Sequence, residues 1–143
     1  MAGSLVVFAG ILFIIYSFYF IKIIKGSPEE FESEMMQGLA AWIISRGAKA
    51  KGQLWGMLFI SILAETAYFI LAFLTLDNLF MILFTCFFAG YELLHLLLLT
   101  YNLAGFFAGR LKLKEIFRWK AERFSALLFF THSMLVIIVL SFL

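Results

Sequence analysis

Residues 54–107 read LWGMLFISILAETAYFILAFLTLDNLFMILFTCFFAGYELLHLLLLTYNLAGFF. Two apolar runs, 54–76 and 78–107, are joined with only Leu76-Asp77-Asn78 offering turn chemistry between them. Each run reaches or exceeds the roughly 20 residues a helix needs to cross the hydrocarbon core. A single chain in lipid must satisfy its own backbone polar groups, so such runs are read as helices. Asp77 and Asn78 suit a short interhelical turn and the cap of the helix that follows. The stretch therefore predicts a tight hairpin of two transmembrane helices. The second is long enough to tilt or to project beyond the bilayer.

Working outward, two further apolar runs flank the hairpin, about 4–24 and about 124–143. Residues 1–4 carry no Lys or Arg, and the first run is a full span followed by Lys22 and Lys25. It reads as a retained anchor, because a cleaved signal peptide has a basic start and a shorter apolar region. The composition agrees with four spans. With 64% hydrophobic and only 14% charged residues, the chain has too few polar side chains to cover a water-facing surface. At 143 residues, the length predicts a single domain over 1–143.

Charge placement orients the spans. Lys22, Lys25, Arg46, Lys49 and Lys51 lie at or between spans one and two. Arg110, Lys112, Lys114, Arg118, Lys120 and Arg123 lie between spans three and four. These are all eleven Lys and Arg of the chain, and a four-span path puts them on one face. The positive-inside rule then predicts basic loops in the cytoplasm, with both termini and the Asp77 hairpin outside. The expected location is a bacterial cytoplasmic membrane.

Both basic segments carry more than loop character. Ser27-Pro28-Glu29-Glu30 has the pattern of a helix start, with a capping Ser, Pro at the first position and Glu three residues after the cap. Phe31, Met35, Leu39, Trp42 and Ile43 recur at helical spacing from there, and Gly47 follows Arg46 as a stop. This predicts an amphipathic helix over about 28–46, lying in the cytoplasmic interface against anionic lipid. Glu29, Glu30, Glu32 and Glu34 are expected to form its solvated acidic face. Residues 111–124 predict either a second interfacial helix or the cytoplasmic start of span four. The fold expected is an all-α integral membrane protein: four transmembrane helices with one or two cytoplasmic interfacial amphipathic helices.

Several function classes are not supported. The lone Cys86 excludes an intramolecular disulfide and is expected to be a small buried apolar residue. There is no Cys/His finger spacing, phosphate-cradling glycine loop or Gly-x-Ser-x-Gly elbow. No nucleic-acid partner is expected, and no catalytic residue stands out.

What does stand out is a set of ionisable side chains in the spans. On insertion scales each costs about 2.5–3.5 kcal/mol at bilayer depth and faces the bundle interior. Counting about 1.5 Å per residue from the hairpin or the C-terminus puts Glu65 roughly 16 Å deep, Glu92 roughly 21 Å, His95 roughly 25 Å and His132 roughly 17 Å. Glu92 and His95, three apart, share a helix face. Thr85 and Asn102 extend that stripe, Tyr68 shares a face with Glu65, and Ser125 shares one with His132. A polar seam between spans two, three and four keeps these groups out of lipid, and Tyr91 and Tyr101 belong to packing or the interface.

Three chemistries fit the set. Glu92-Leu93-Leu94-His95 has the Glu-x-x-His spacing of di-iron helical bundles, and with Glu65 and His132 would make a carboxylate–imidazole shell for Zn, Fe or Mn. A proton or cation path through the same residues needs no fixed cofactor. His95 and His132 as axial ligands of haem b are the less favoured third. The functional expectation is an intramembrane Glu/His cluster that binds a transition metal or conducts a cation or proton, for ion transport or membrane-embedded redox chemistry. The alternative class is a non-catalytic structural or assembly subunit of a larger membrane complex. The thin core of four short spans leads to the expectation of a homo-oligomer or a place in such a complex.

Overall fold

The computed structural model describes residues 2–25 and 27–142. Among them are five α-helices, one 3-10 turn and no strand: α1 (Ala2–Lys25), α2 (Pro28–Arg46), α3 (Lys49–Thr75), α4 (Leu79–Phe107), the turn Leu113–Glu115, and α5 (Trp119–Phe142). Four of the helices, α1, α3, α4 and α5, are long and apolar enough to cross a membrane. The protein is an all-α integral membrane protein. Leu143, where the fourth span was expected to end, lies outside the described residues.

Local chemistry accounts for the helix ends. The Ser27 hydroxyl accepts the Glu30 N–H at 3.0 Å and starts α2. Gly47, at φ +61°, closes it by donating its N–H to the Ile43 carbonyl, a left-handed conformation that glycine adopts without penalty. Asn78 caps α4, its side-chain oxygen accepting the Met81 N–H at 3.3 Å. α4 stops where the N–H groups of Arg110 and Leu111 both turn back to the Gly105 carbonyl. A Cβ on Gly105 would sit 3.0 Å from the Leu111 side chain. The bare glycine thus lets the chain fold tightly against its own helix.

Two boundaries differ from the sequence reading. α3 begins at Lys49 rather than near Leu54, and α5 begins at Trp119 rather than near Phe124. Helices extend past the hydrocarbon into the interface, where charged residues are tolerated, so hydropathy alone trims them. Of residues 111–124, the last six are the start of α5, one of the two expected alternatives, while 111–118 form no full interfacial helix. They hold the short 3-10 turn, and Asn102 donates to the Ile116 carbonyl at 3.1 Å to pin it against α4.

The spanning helices form a ring in which α1 touches α5 and α3, and α4 touches α3 and α5. Connectivity makes every neighbouring pair antiparallel. Leu5 and Ala9 of α1, Tyr68 and Ala72 of α3, Phe88 of α4, and Phe129 and Val136 of α5 fill the centre. Tyr16 stacks on Phe129 with ring centroids 5.3 Å apart, and Phe13 on Phe130 at 5.1 Å. Outward side chains such as Val7, Phe18, Ile60 and Leu94 are exposed, the surface that lipid covers, and Cys86, expected to be buried, is exposed with them. Lipid tails give helices no hydrophobic reason to associate, so close packing and interhelical hydrogen bonds hold the ring.

α2 lies across the basic end, in contact with α1, α3 and the 3-10 turn. Phe31 packs edge-on against Tyr19 at 5.3 Å, Met35 and Leu39 face a cavity beneath the helix, and Trp42 lies under Arg46 at 5.8 Å. Ile43 is half-buried while Ile44 beside it is exposed. The acidic face is not wholly solvated. Glu32 is buried, and its carboxylate accepts from Arg123 Nε of α5 at 2.6 Å.

Candidate functional site

Polar side chains inside the ring form two clusters. The first surrounds His132, which is fully buried. Its Nδ1 lies 2.6 Å from the Tyr68 hydroxyl and its Nε2 2.8 Å from the Thr85 hydroxyl. The Thr85 hydroxyl also donates to the Met81 carbonyl at 2.6 Å, and its single proton is spent there. His132 Nε2 must therefore carry the proton given to Thr85, and Nδ1 accepts from Tyr68. This is a neutral imidazole with one assigned tautomer and every donor matched to an acceptor. The rings of Phe84, Phe88 and Tyr68 surround it with centroids 5.3–5.4 Å away.

The second cluster joins α4 to α5 nearer the basic end. Glu92 is buried and accepts from the Ser125 hydroxyl on one carboxylate oxygen. Its other oxygen faces His95 Nδ1 at 3.3 Å. His95 Nε2 lies 2.8 Å from Glu122 Oε1. Tyr91 stacks along the same imidazole, nearly parallel at 12°, and its hydroxyl donates to the Ala121 carbonyl at 2.9 Å. The ring is thus held between two carboxyl groups by one helix turn, one neighbouring helix and one aromatic face.

Proton counting limits what this trio can be. If both carboxyls are ionised they only accept, so both ring nitrogens donate and His95 is an imidazolium. If His95 is neutral, one carboxyl must carry the other proton. Either way the two hydrogen bonds hold two protons, and the three groups sum to a single negative charge. Moving a proton between these forms changes no net charge, which suits a low-dielectric setting.

Glu65 of α3 completes the cluster. Its carboxyl lies beside that of Glu92, and no described protein group hydrogen-bonds its buried Oε2. Glu65 and Glu92 share the lining of a cavity of about 480 Å³ between α3 and α4. Glu65 also lines a smaller space of about 170 Å³ toward α1, with Tyr16, Ser61 and Tyr68.

Of the expected seam, the structure brings Glu65, Glu92, His95 and Ser125 together and gives His132 to a separate group with Tyr68 and Thr85. The seven-residue steps from Thr85 to Glu92 and from Ser125 to His132 put the clusters about 10 Å apart along the bundle, with Phe88 and Phe129 between them in the core. Tyr68 turns to His132 rather than working with Glu65, and Asn102 holds the 3-10 turn. Tyr91 supports His95. Sequence reasoning did not single out Glu122, which lies among the basic residues before span four. Its signal was the stripe Glu122, Ser125, Phe129, His132 at helical spacing, extended one turn toward the N-terminus.

In this arrangement neither imidazole has a free lone pair to offer a metal or a haem iron, since both nitrogens of each are engaged. Among the described residues, no group of three or more His, Cys, Asp and Glu side chains is disposed to hold a metal ion. Comparison with family models, with curated proteins and with solved structures finds no match for the chain.

Proposed function

We propose that this membrane protein binds and conducts protons inside the bilayer along Glu65, Glu92, His95 and Glu122, as the working part of an ion-transport activity. The observation that supports it most is His95 bridging two carboxyl groups through its two ring nitrogens. An imidazole so held takes a proton at one nitrogen and releases one at the other. Glu122 is the entry from the basic end, and Glu65, with an oxygen lacking a protein partner, receives the proton from the Glu92 side and passes it to the cavity that runs on along α3 toward Phe73. By the charge distribution, the basic end faces the cytoplasm and both termini face outward. The His132 cluster has a different task in this reading: fully hydrogen-bonded and buried, it sets the register of α3, α4 and α5.

The test uses purified protein in liposomes with an entrapped pH-sensitive dye and a potassium diffusion potential. Proton entry should exceed that of empty vesicles and fall at least about ten-fold in Glu65→Gln and in Glu92→Gln. Entry no faster than in empty vesicles, or unchanged in both variants, would overturn the reading. Stoichiometric Zn, Fe or Mn on elemental analysis would replace it with the metal reading.

A further inference from the structure

Beneath α2 at the basic end lies a cavity of about 360 Å³, bounded by α2, α3, α4, the 3-10 turn and α5. Its size falls in the range of small-ligand sites, about 300–1,000 Å³. Its lining is apolar apart from Ser61 and Glu122, and Glu122 is the carboxyl that receives His95 Nε2 at 2.8 Å. Next to Glu122, Trp119 and Phe117 line the wall with their rings stacked at 5.6 Å. Met35, Met36 and Met57 also line the cavity.

We infer that this cavity binds an apolar organic cation, with its charge against Glu122 and its hydrocarbon against the methionines. The inference rests on the proton relay proposed above and names the substrate class that would use it. A carboxylate beside aromatic faces attracts a weakly hydrated cation by charge and by cation–π contact. Methionine thioethers, unbranched and polarizable, repack around varied hydrocarbon shapes. The cation and the protons of the His95 trio draw on the same negative charge. A cation arriving at Glu122 offsets the charge that holds the two protons shared by Glu92, His95 and Glu122, and one of those protons leaves to water. One positive charge enters and one leaves, no electron moves, and the net charge of the site is kept. Binding and proton release are thereby exchanged one for one.

The experiment measures calorimetric binding of methyltriphenylphosphonium to the full chain in nanodiscs, with empty nanodiscs as reference. The expected result is saturable binding that tightens as pH rises, approaching about ten-fold per pH unit, the limit for a one-proton exchange. Glu122→Gln should weaken it at least about ten-fold and flatten the pH slope. Leu99→Trp, which fills the cavity and leaves the carboxylate, should block it with the helical circular-dichroism signal unchanged. No saturable binding above empty nanodiscs overturns the site, as does equal binding in either variant. Glu122-dependent binding without a pH slope overturns the exchange. Proton flux measured without the cation reads the relay alone, so its failure is separable from failure of the cavity.

Discussion

His95 of α4 reaches Glu122 of α5 through Nε2 at 2.8 Å, while Arg123, the next residue along, turns the other way and holds Glu32 of α2 at 2.6 Å. Consecutive residues on one helix thus serve two interfaces. Glu122 faces into the ring and ends the chain of ionisable groups; Arg123 faces the amphipathic helix and ties it to the bundle.

His95→Gln keeps hydrogen-bonding capacity but cannot relay a proton, because an amide does not accept and release one at neutral pH. Proton flux in liposomes should fall at least about ten-fold, with thermal stability in detergent changing little. Flux equal to that of the unsubstituted protein would exclude His95 from the path.

The His132 cluster predicts the opposite pattern. Tyr68→Phe removes the donor to Nδ1 and Thr85→Val removes the acceptor for Nε2, each leaving a buried nitrogen unmatched. Interhelical hydrogen bonds in membranes are worth about 0.6–2 kcal/mol, so each change should lower unfolding stability by about 1 kcal/mol. Proton flux per folded molecule should be unaffected. A large flux loss in a stably folded Tyr68→Phe protein would move His132 into the conducting path.

Glu32→Gln should loosen α2, because the buried carboxylate is the partner of Arg123. Hydrogen exchange over residues 31–46 should rise, whereas Glu34→Gln, at an exposed position, should leave it alone. Equal protection in the two variants would show that apolar contacts, with Phe31 on Tyr19 foremost, hold α2 without the ion pair.

The orientation is testable by labelling. In a Cys86→Ser background, Asp77→Cys in the hairpin should react with an impermeant maleimide in intact cells, and Lys114→Cys only after permeabilisation. The reverse pattern would invert the topology and place Glu122 at the outer end of the relay.

Much of the fold was legible because membrane helices are decided locally. Within lipid every backbone polar group must be paired inside its own segment. Apolar runs, the Ser27 and Asn78 caps and the Gly47 stop were therefore readable one segment at a time. The candidate site was legible in its ingredients and not in its pairings. Glu65, Glu92, His95 and His132 all stood out as costly groups at similar depth, but depth fixes only the level of a residue. Its neighbour depends on the rotation of each helix about its own axis, and on one face a single turn moves a side chain roughly 5 Å along the bundle to another partner. Glu65 and Tyr68, one turn apart, go to different clusters for this reason.

Sequence by itself determined the number of spans, the tight hairpin and the capped helix at the basic end, since each follows from hydropathy or from hydrogen bonds a few residues long. Only the tertiary structure decided that α5 begins early enough to bring Glu122 to His95, that His132 is closed off by Tyr68 and Thr85, and that Arg123 reaches Glu32. These are contacts between helices far apart in the chain, set by how side chains pack across an interface.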